Sequence, residues 1–258
     1  MSNTAKAFAN GKAFIPFITA GDPDLAVTKE IIFSMVKAGA DLIEIGIPFS
    51  DPVAEGTVIQ EADLRALKAG TTTDKIFDMV AEVRKETDIP LAFMTYMNPV
   101  FVYGTERFCK KCADVKIDAL IVPDVPYEEK NEIAPYCEKY GIDVISLIAP
   151  TSKDRIKTIA KEAQGFVYCV SSLGVTGVRS KITTNIGEMT SLVKEVSNIP
   201  TAIGFGISTT QQAKEMAQYA DGVIVGSAIV KICAKYGTDC VSHVYDYVKQ
   251  MKDAIRNL

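Results

Sequence analysis

The chain has 258 residues, 48% of them hydrophobic and 23% charged, the profile of a folded globular protein rather than a disordered or fibrous one. Its net charge of −4, from 28 basic and 32 acidic side chains, comes with no Lys/Arg stripe able to follow a phosphate backbone, so nucleic acid is not an expected partner. No run approaches the ~18 apolar residues of a membrane span, and MSNTAKAFANGKAF at the N-terminus lacks the apolar core of a secretory signal, so a cytoplasmic protein is expected.

In chain order, AFIPFIT (13–19) reads as a first strand. It is followed by a helix pattern over 25–39, where Leu25, Ile31, Ile32, Met35 and Val36 share one face opposite Lys29, Glu30 and Lys37. DLIEIG (41–46) is the second strand, and IPFSDPVAEG continues from it as a proline-containing turn with two acids. A helix pattern at 74–86 leads to a strand at 90–97. TERFCKKCADV then reads as an amphipathic helix, and its CxxC has no second cysteine pair or histidine to complete a zinc site. Strands follow at 118–123, 143–149, 166–171, 200–206 and 221–226, with helix patterns at 152–163, 186–196 and 209–220 between the later ones.

One phrase recurs: a helix end, a breaker, an aspartate, then a short apolar run. Asp41, Asp118, Asp143 and Asp221 each stand before such a run. Strands apolar on both faces suit a parallel sheet covered by helices. Eight βα units without a linker predict an α/β protein, a single domain over residues 1–258 folded as a closed (β/α)₈ TIM barrel. Function in that fold gathers on the loops at the C-terminal strand ends.

Three glycine turns follow late strands, SLGVTG (172–177), GFGIS (204–208) and GSAIV (226–230). Together they predict a phosphate site, with backbone N–H groups and a helix start near Ser227 facing the anion. No GxGxxG opens a helix after the first strand and no GxxxxGK[ST] is present, so a small phosphorylated metabolite fits better than a nucleotide. The only histidine, His243, lies in a helical C-terminal segment and reads as structural or surface, and no strand candidate carries a lysine for a Schiff base. Carboxylate acid–base chemistry remains. Glu44 alternates with Ile43, Ile45 and Ile47, so if those face the helices Glu44 points inward, where desolvation favours the protonated acid. Asp51 is as readily a turn cap as a functional acid, and Glu55 is either solvated or functional.

LIEIGIPFSDPVAEG, taken with FITAGDP (17–23), LIVPDVPYEE (120–129), SSLGVTG (171–177), GFGIS and GSAIVK (226–231), resembles the tryptophan synthase alpha subunit in order and over nearly the whole chain. The resemblance implies a lyase that cleaves indole-3-glycerol phosphate to indole and glyceraldehyde 3-phosphate. It implies no cofactor or metal in this chain, and a pyridoxal-phosphate beta subunit as partner in an alpha-beta-beta-alpha complex. By position it makes Glu44 and Glu55 the catalytic carboxylates, with Tyr168 beside the substrate. Phe17, Ile59, Met94, Tyr96, Ile121, Phe205 and Ile224 would line the indole pocket. Thr176, Gly177, Gly206, Gly226 and Ser227 would bind the phosphate end, and Pro48, Asp51, Asp124 and Pro126 would face the partner.

The family's second carboxylate is usually aspartate in an ADGP setting, whereas Glu55 stands here in AEGT, with Thr57 in the proline's place. One methylene moves a carboxylate by about 1.5 Å, on the scale that costs about 10²-fold in rate unless the loop is rebuilt around it. The segment before the first strand is short, so an abbreviated helix is expected under the barrel. The stretch 171–185 is a lid candidate with Gly174 and Gly177 as hinges. Two alternatives stay open: a free-standing indole-releasing lyase, and a mainly regulatory subunit that activates its partner.

Overall fold

The computed structural model describes residues 3–170, 186–204 and 206–258. Its strands are β1 (Ala13–Thr19), β2 (Ile43–Gly46), β3 (Leu91–Met94), β4 (Ala119–Ile121), β5 (Asp143–Val144), β6 (Ser146–Ile148), β7 (Val167–Val170), β8 (Thr201–Gly204) and β9 (Gly222–Val225). The helices are α1 (Asn3–Lys6), α2 (Leu25–Ala38), α3 (Thr57–Lys68), α4 (Thr73–Val83), α5 (Met97–Tyr103), α6 (Thr105–Asp114), α7 (Ala134–Tyr140), α8 (Lys153–Lys161), α9 (Ile186–Lys194), α10 (Thr210–Ala217), α11 (Ser227–Tyr236) and α12 (Cys240–Ile255).

All strand pairs are parallel, in the order β5-β4-β3-β2-β1-β9-β8-β7-β6. The two ends of this sheet, β5 and β6, are consecutive in the chain and separated only by Ile145. The ring therefore closes through one broken strand, and the Ile145 amide donates to Leu120 O at 2.9 Å. The apolar run 143–149, continuous in sequence, divides because its pairing changes at Ile145: residues before it bond β4 and residues after it bond β7.

Two apolar layers result. Phe14, Ile18, Ile43, Ile45, Phe93, Leu120, Val167 and Ile203 pack outward against the helices. Ile15, Ala92, Ala119, Ile121, Tyr168, Ala202 and Ile224 fill the interior, as period-two alternation in a packed barrel requires. The helix face read from sequence for α2 is the one buried, with Ile31, Ile32 and Met35 at zero exposure. Cys109 and Cys112 are buried core residues of α6, and the Cys109 sulfur lies 3.7 Å from that of Cys137 on α7.

The recurring aspartates sit at the N-terminal ends of their strands, and three of them satisfy an amide at the start of a neighbouring strand. Asp41 accepts from Phe14 N at 2.7 Å, Asp118 from Leu91 N at 2.8 Å and Asp221 from Thr201 N at 2.9 Å. Each also takes a cation, Lys252, Arg84 and Lys194 respectively. Asp143 instead accepts the Thr4 hydroxyl. That contact, and Asn3 Nδ2 donating to Asp118 at 2.8 Å, dock the one-turn α1 under the barrel. Phe8 beyond it packs on Phe166 at 5.5 Å between ring centroids. The lower rim is a structural belt.

Candidate functional site

The site lies where β1 and β2 approach the opposite rim. In their register Phe17 pairs with Glu44, and Glu44 pairs with Ala92 of β3. The outward packing of Ile43 and Ile45 turns Glu44 into the barrel, as the alternation predicted. Its side chain is 1% exposed, and among the described residues Oε1 has no hydrogen-bond partner. Burial, reinforced by the nearby Glu55, pushes its carboxyl from 4.5 to about 8. At neutral pH Glu44 carries a proton.

Glu55 is 4% exposed although it belongs to the loop after β2. Tyr96, after β3, reaches into that loop: its hydroxyl donates to Glu55 Oε1 at 3.2 Å and accepts from Ala54 N at 3.2 Å. Gln60 of α3 donates to the Glu55 carbonyl at 2.8 Å. The longer acid thus sits in a loop tied down on both sides. Burial, then Glu55, holds the Tyr96 hydroxyl well above the ordinary tyrosine range, so it acts as a donor. Tyr168 of β7 is raised in the same way by burial, then Glu44, then Glu55, which brings all three groups within one field.

Phe17 and Ile59 form one buried apolar cluster with Met94 packed against it. Met94 also touches the interior cluster that holds Ile121, Tyr168 and Ile224. Glycine makes this closeness possible at two strand positions, Gly46 and Gly204, the second of which opens the GFGIS turn. A Cβ on Gly46 would come within 2.7 Å of the Phe17 ring, and one on Gly204 within 2.4 Å of the Tyr168 hydroxyl.

On the side of the rim beyond β1, Gly206 follows β8 with φ +85°. Gly226 precedes α11, whose first turn, beginning at Ser227, has no side-chain cap. Thr176, Gly177, Phe205 and the lid candidate 171–185 lie outside the described residues.

Of the expected partner-facing residues, Asp51, Asp124 and Pro126 are exposed and Pro48 is buried. Asp124 caps α5 by accepting from Met97 N at 3.0 Å. Beside it Phe101 and Val102 of α5 are 71% and 77% exposed, and Val53 in the β2–α3 loop is 73% exposed. This apolar group has no counterpart in the sequence reading, because exposure of a short helix leaves no periodic mark.

Asp63 was likewise not singled out. It lies on the buried face of α3, accepts a backbone bond from Phe49, and is pushed up to about 8 by burial and then by Glu55. Among the described residues no group of histidine, cysteine or acidic side chains is arranged to hold a metal ion. A buried acid, a second carboxylate tied to a tyrosine, an apolar cluster and an uncapped helix start therefore share one rim.

Residues 3–256 match the family model described as Tryptophan synthase alpha chain. The chain is 51% identical to the tryptophan synthase alpha chain of Lacticaseibacillus casei over 255 residues, 99% of this chain and 96% of that protein. Among solved structures, the tryptophan synthase alpha chain of Legionella pneumophila subsp. pneumophila superposes with TM-score 0.89 at 34% identity, covering 100% of this chain and 98% of that one. The tryptophan synthase complex of Pyrococcus furiosus contains a chain matching at TM-score 0.87 and 32% identity, over 95% of this chain and 99% of its own length. Sequence, fold and the arrangement of the rim agree: this chain belongs to the tryptophan synthase alpha chain family.

Proposed function

We propose that Glu44, Glu55 and Tyr168 carry out in this chain the reaction of its family, the cleavage of indole-3-glycerol phosphate to indole and glyceraldehyde 3-phosphate. As a member of that family the protein is a carbon–carbon lyase of tryptophan biosynthesis. Protonated Glu44 gives its proton to C3 of the indole ring, which places positive charge on the ring nitrogen. The Glu55 carboxylate accepts the ring N–H and stabilises that charge. Glu44, now a carboxylate, accepts the proton of the hydroxyl on the carbon attached to C3. That carbon becomes the aldehyde, the C3–C bond breaks, and its electron pair restores the aromatic ring. Tyr168 borders the slot beside Glu44 and, kept neutral, offers a hydroxyl without adding charge.

Phe17, Ile59, Met94, Ile121 and Ile224 supply the apolar walls for the ring. Gly206, Gly226 and Ser227 offer backbone N–H groups to the phosphate. No step calls for a metal or a resident cofactor; pyridoxal phosphate belongs to the beta subunit that consumes the indole. Exposed Phe101, Val102 and Val53 with Asp51, Asp124 and Pro126 form the surface we assign to that subunit. The cytoplasm is the compartment we assign, in keeping with six free, buried cysteines and no described helix long and apolar enough to cross a membrane.

The observation that carries this reading is the buried Glu44 carboxyl, whose Oε1 has no hydrogen-bond partner among the described residues. Indole release from indole-3-glycerol phosphate tests it. Glu44→Gln keeps shape but cannot cycle a proton, so turnover is expected to fall at least about 10²-fold while a non-cleavable analogue still binds. Undiminished release by this variant would refute the assignment and leave the chain a mainly regulatory subunit.

A further inference from the structure

Two buried side-chain oxygens among the described residues have no hydrogen-bond partner, Glu44 Oε1 and Thr19 Oγ1. The mechanism uses the first; nothing so far uses the second. Thr19 ends β1 and is 2% exposed. A hydroxyl withdrawn from water without a partner costs a fold stability that a valine of the same shape would not. Its presence calls for a partner that the described residues do not themselves supply.

The register says where that partner comes from. Phe17 pairs with Glu44, and Thr19 pairs with Gly46 two residues nearer the functional rim. Ile18 packs outward against the helices, so alternation turns Thr19 to the same side as Phe17, one layer above Glu44. In the ring, β1 stands between β2, which carries Glu44, and β9, which leads through Gly226 into α11 at Ser227, with β8 and Gly206 beyond. A substrate with ring carbon C3 at Glu44 and its phosphate over the β8 and β9 ends must lay its glycerol chain across β1. That chain carries two hydroxyls. Cleavage converts one into the aldehyde and leaves the other, on the middle carbon, untouched.

We propose that Thr19 is a substrate-binding residue whose hydroxyl bonds the spectator hydroxyl of the glycerol chain, and so fixes the rotation of that chain about the bond that breaks. This rests on the assignment of Glu44 and the phosphate rim above. It makes the site selective for a hydroxylated three-carbon linker and not merely for an indole joined to a phosphate.

The test uses two ligands and two variants in the complex with the beta subunit. One ligand is indole-3-glycerol phosphate; the other is the analogue in which propanol replaces glycerol, so that ring and phosphate remain and both hydroxyls are gone. Thr19→Val is expected to raise KM for the substrate about tenfold, the worth of one neutral hydrogen bond, with affinity for the propanol analogue unchanged. Its thermal midpoint should equal or exceed that of the native protein, because an orphan hydroxyl has been removed. Thr19→Ser, which keeps the hydroxyl, should retain the native KM.

Equal weakening of both ligands, an unchanged KM, or a clear fall in the thermal midpoint of Thr19→Val would each overturn the proposal and make Thr19 structural. Glu44→Gln is assayed alongside. If it still turns over, the site assignment itself has failed; if it is inactive while Thr19→Val is neutral, only the role of Thr19 has failed.

Discussion

At Glu44 a single side chain sets both reactivity and a stability cost. Its carboxyl is held at about 8 in the folded protein against an ordinary 4.5, so between those values the folded chain keeps a proton that the unfolded chain has released. Stability from this group is therefore complete below about pH 4.5 and is lost as pH rises towards about 8. Glutamine does not titrate. Chemical denaturation of native protein and Glu44→Gln across this range should show the variant gaining on the native protein as pH rises, then running parallel above it. A pH-independent difference would mean that Glu44 is ionised in the fold.

Asp63 titrates in the same direction but is common to both proteins, so it drops out of the comparison. The inward direction of Glu44 was legible because isoleucines flank it at alternate positions. The closeness of Glu55 was not, because what anchors it is Tyr96, 41 residues away.

At the scale of elements, most strands were legible because burial on both faces writes an uninterrupted apolar run. The break in the fifth was hidden for the same reason: Ile145 is as apolar as its neighbours, and only the change of pairing partner distinguishes it. Helix α3 leaves a weak pattern, since its buried face is Ile59, Ala62, Asp63 and Ala66, an acid among alanines.

The repeated aspartates were visible as punctuation, yet their work was not, because the amides they satisfy lie 20 to 27 residues away. Asp118 is the most heavily used of them. It holds Leu91 N, Asn3 and the Arg84 guanidinium, and Arg84 in turn binds the carbonyls of Lys116 and Ile89. Both partners of this ion pair are largely buried, at 7% and 14% side-chain exposure. Asp118→Ala should destabilise the protein by about 3 kcal/mol, since it strands a buried cation and an amide. Indole release per folded molecule should stay native, because the belt lies at the opposite end of the strands. A variant of native stability would show that the belt contributes nothing, and a folded but inactive one that the two ends are coupled.

Over the whole molecule, the barrel separates these tasks along its axis. Capping aspartates, their cations and the single turn of α1 secure the N-terminal strand ends. The acids, glycines and exposed apolar residues occupy the C-terminal ends. The order of strands around the ring lets one substrate span the rim as proposed, with Glu44 on β2, Thr19 on β1 and the glycines proposed for the phosphate after β8 and before α11. Exposed Val53 follows β2 and exposed Phe101 and Val102 follow β3, so the surface proposed for the partner adjoins the loop that carries Glu55.

The proposed cleavage requires Glu44 to be a carboxylic acid, not a carboxylate, at the pH where the enzyme works. Infrared difference spectra between native protein and Glu44→Gln isolate this one group and can be recorded through a pH titration. A protonated-carboxyl stretch is expected at neutral pH, disappearing with a midpoint of about 8. A carboxylate signal already complete at about pH 6, as for an ordinary glutamate, would contradict it.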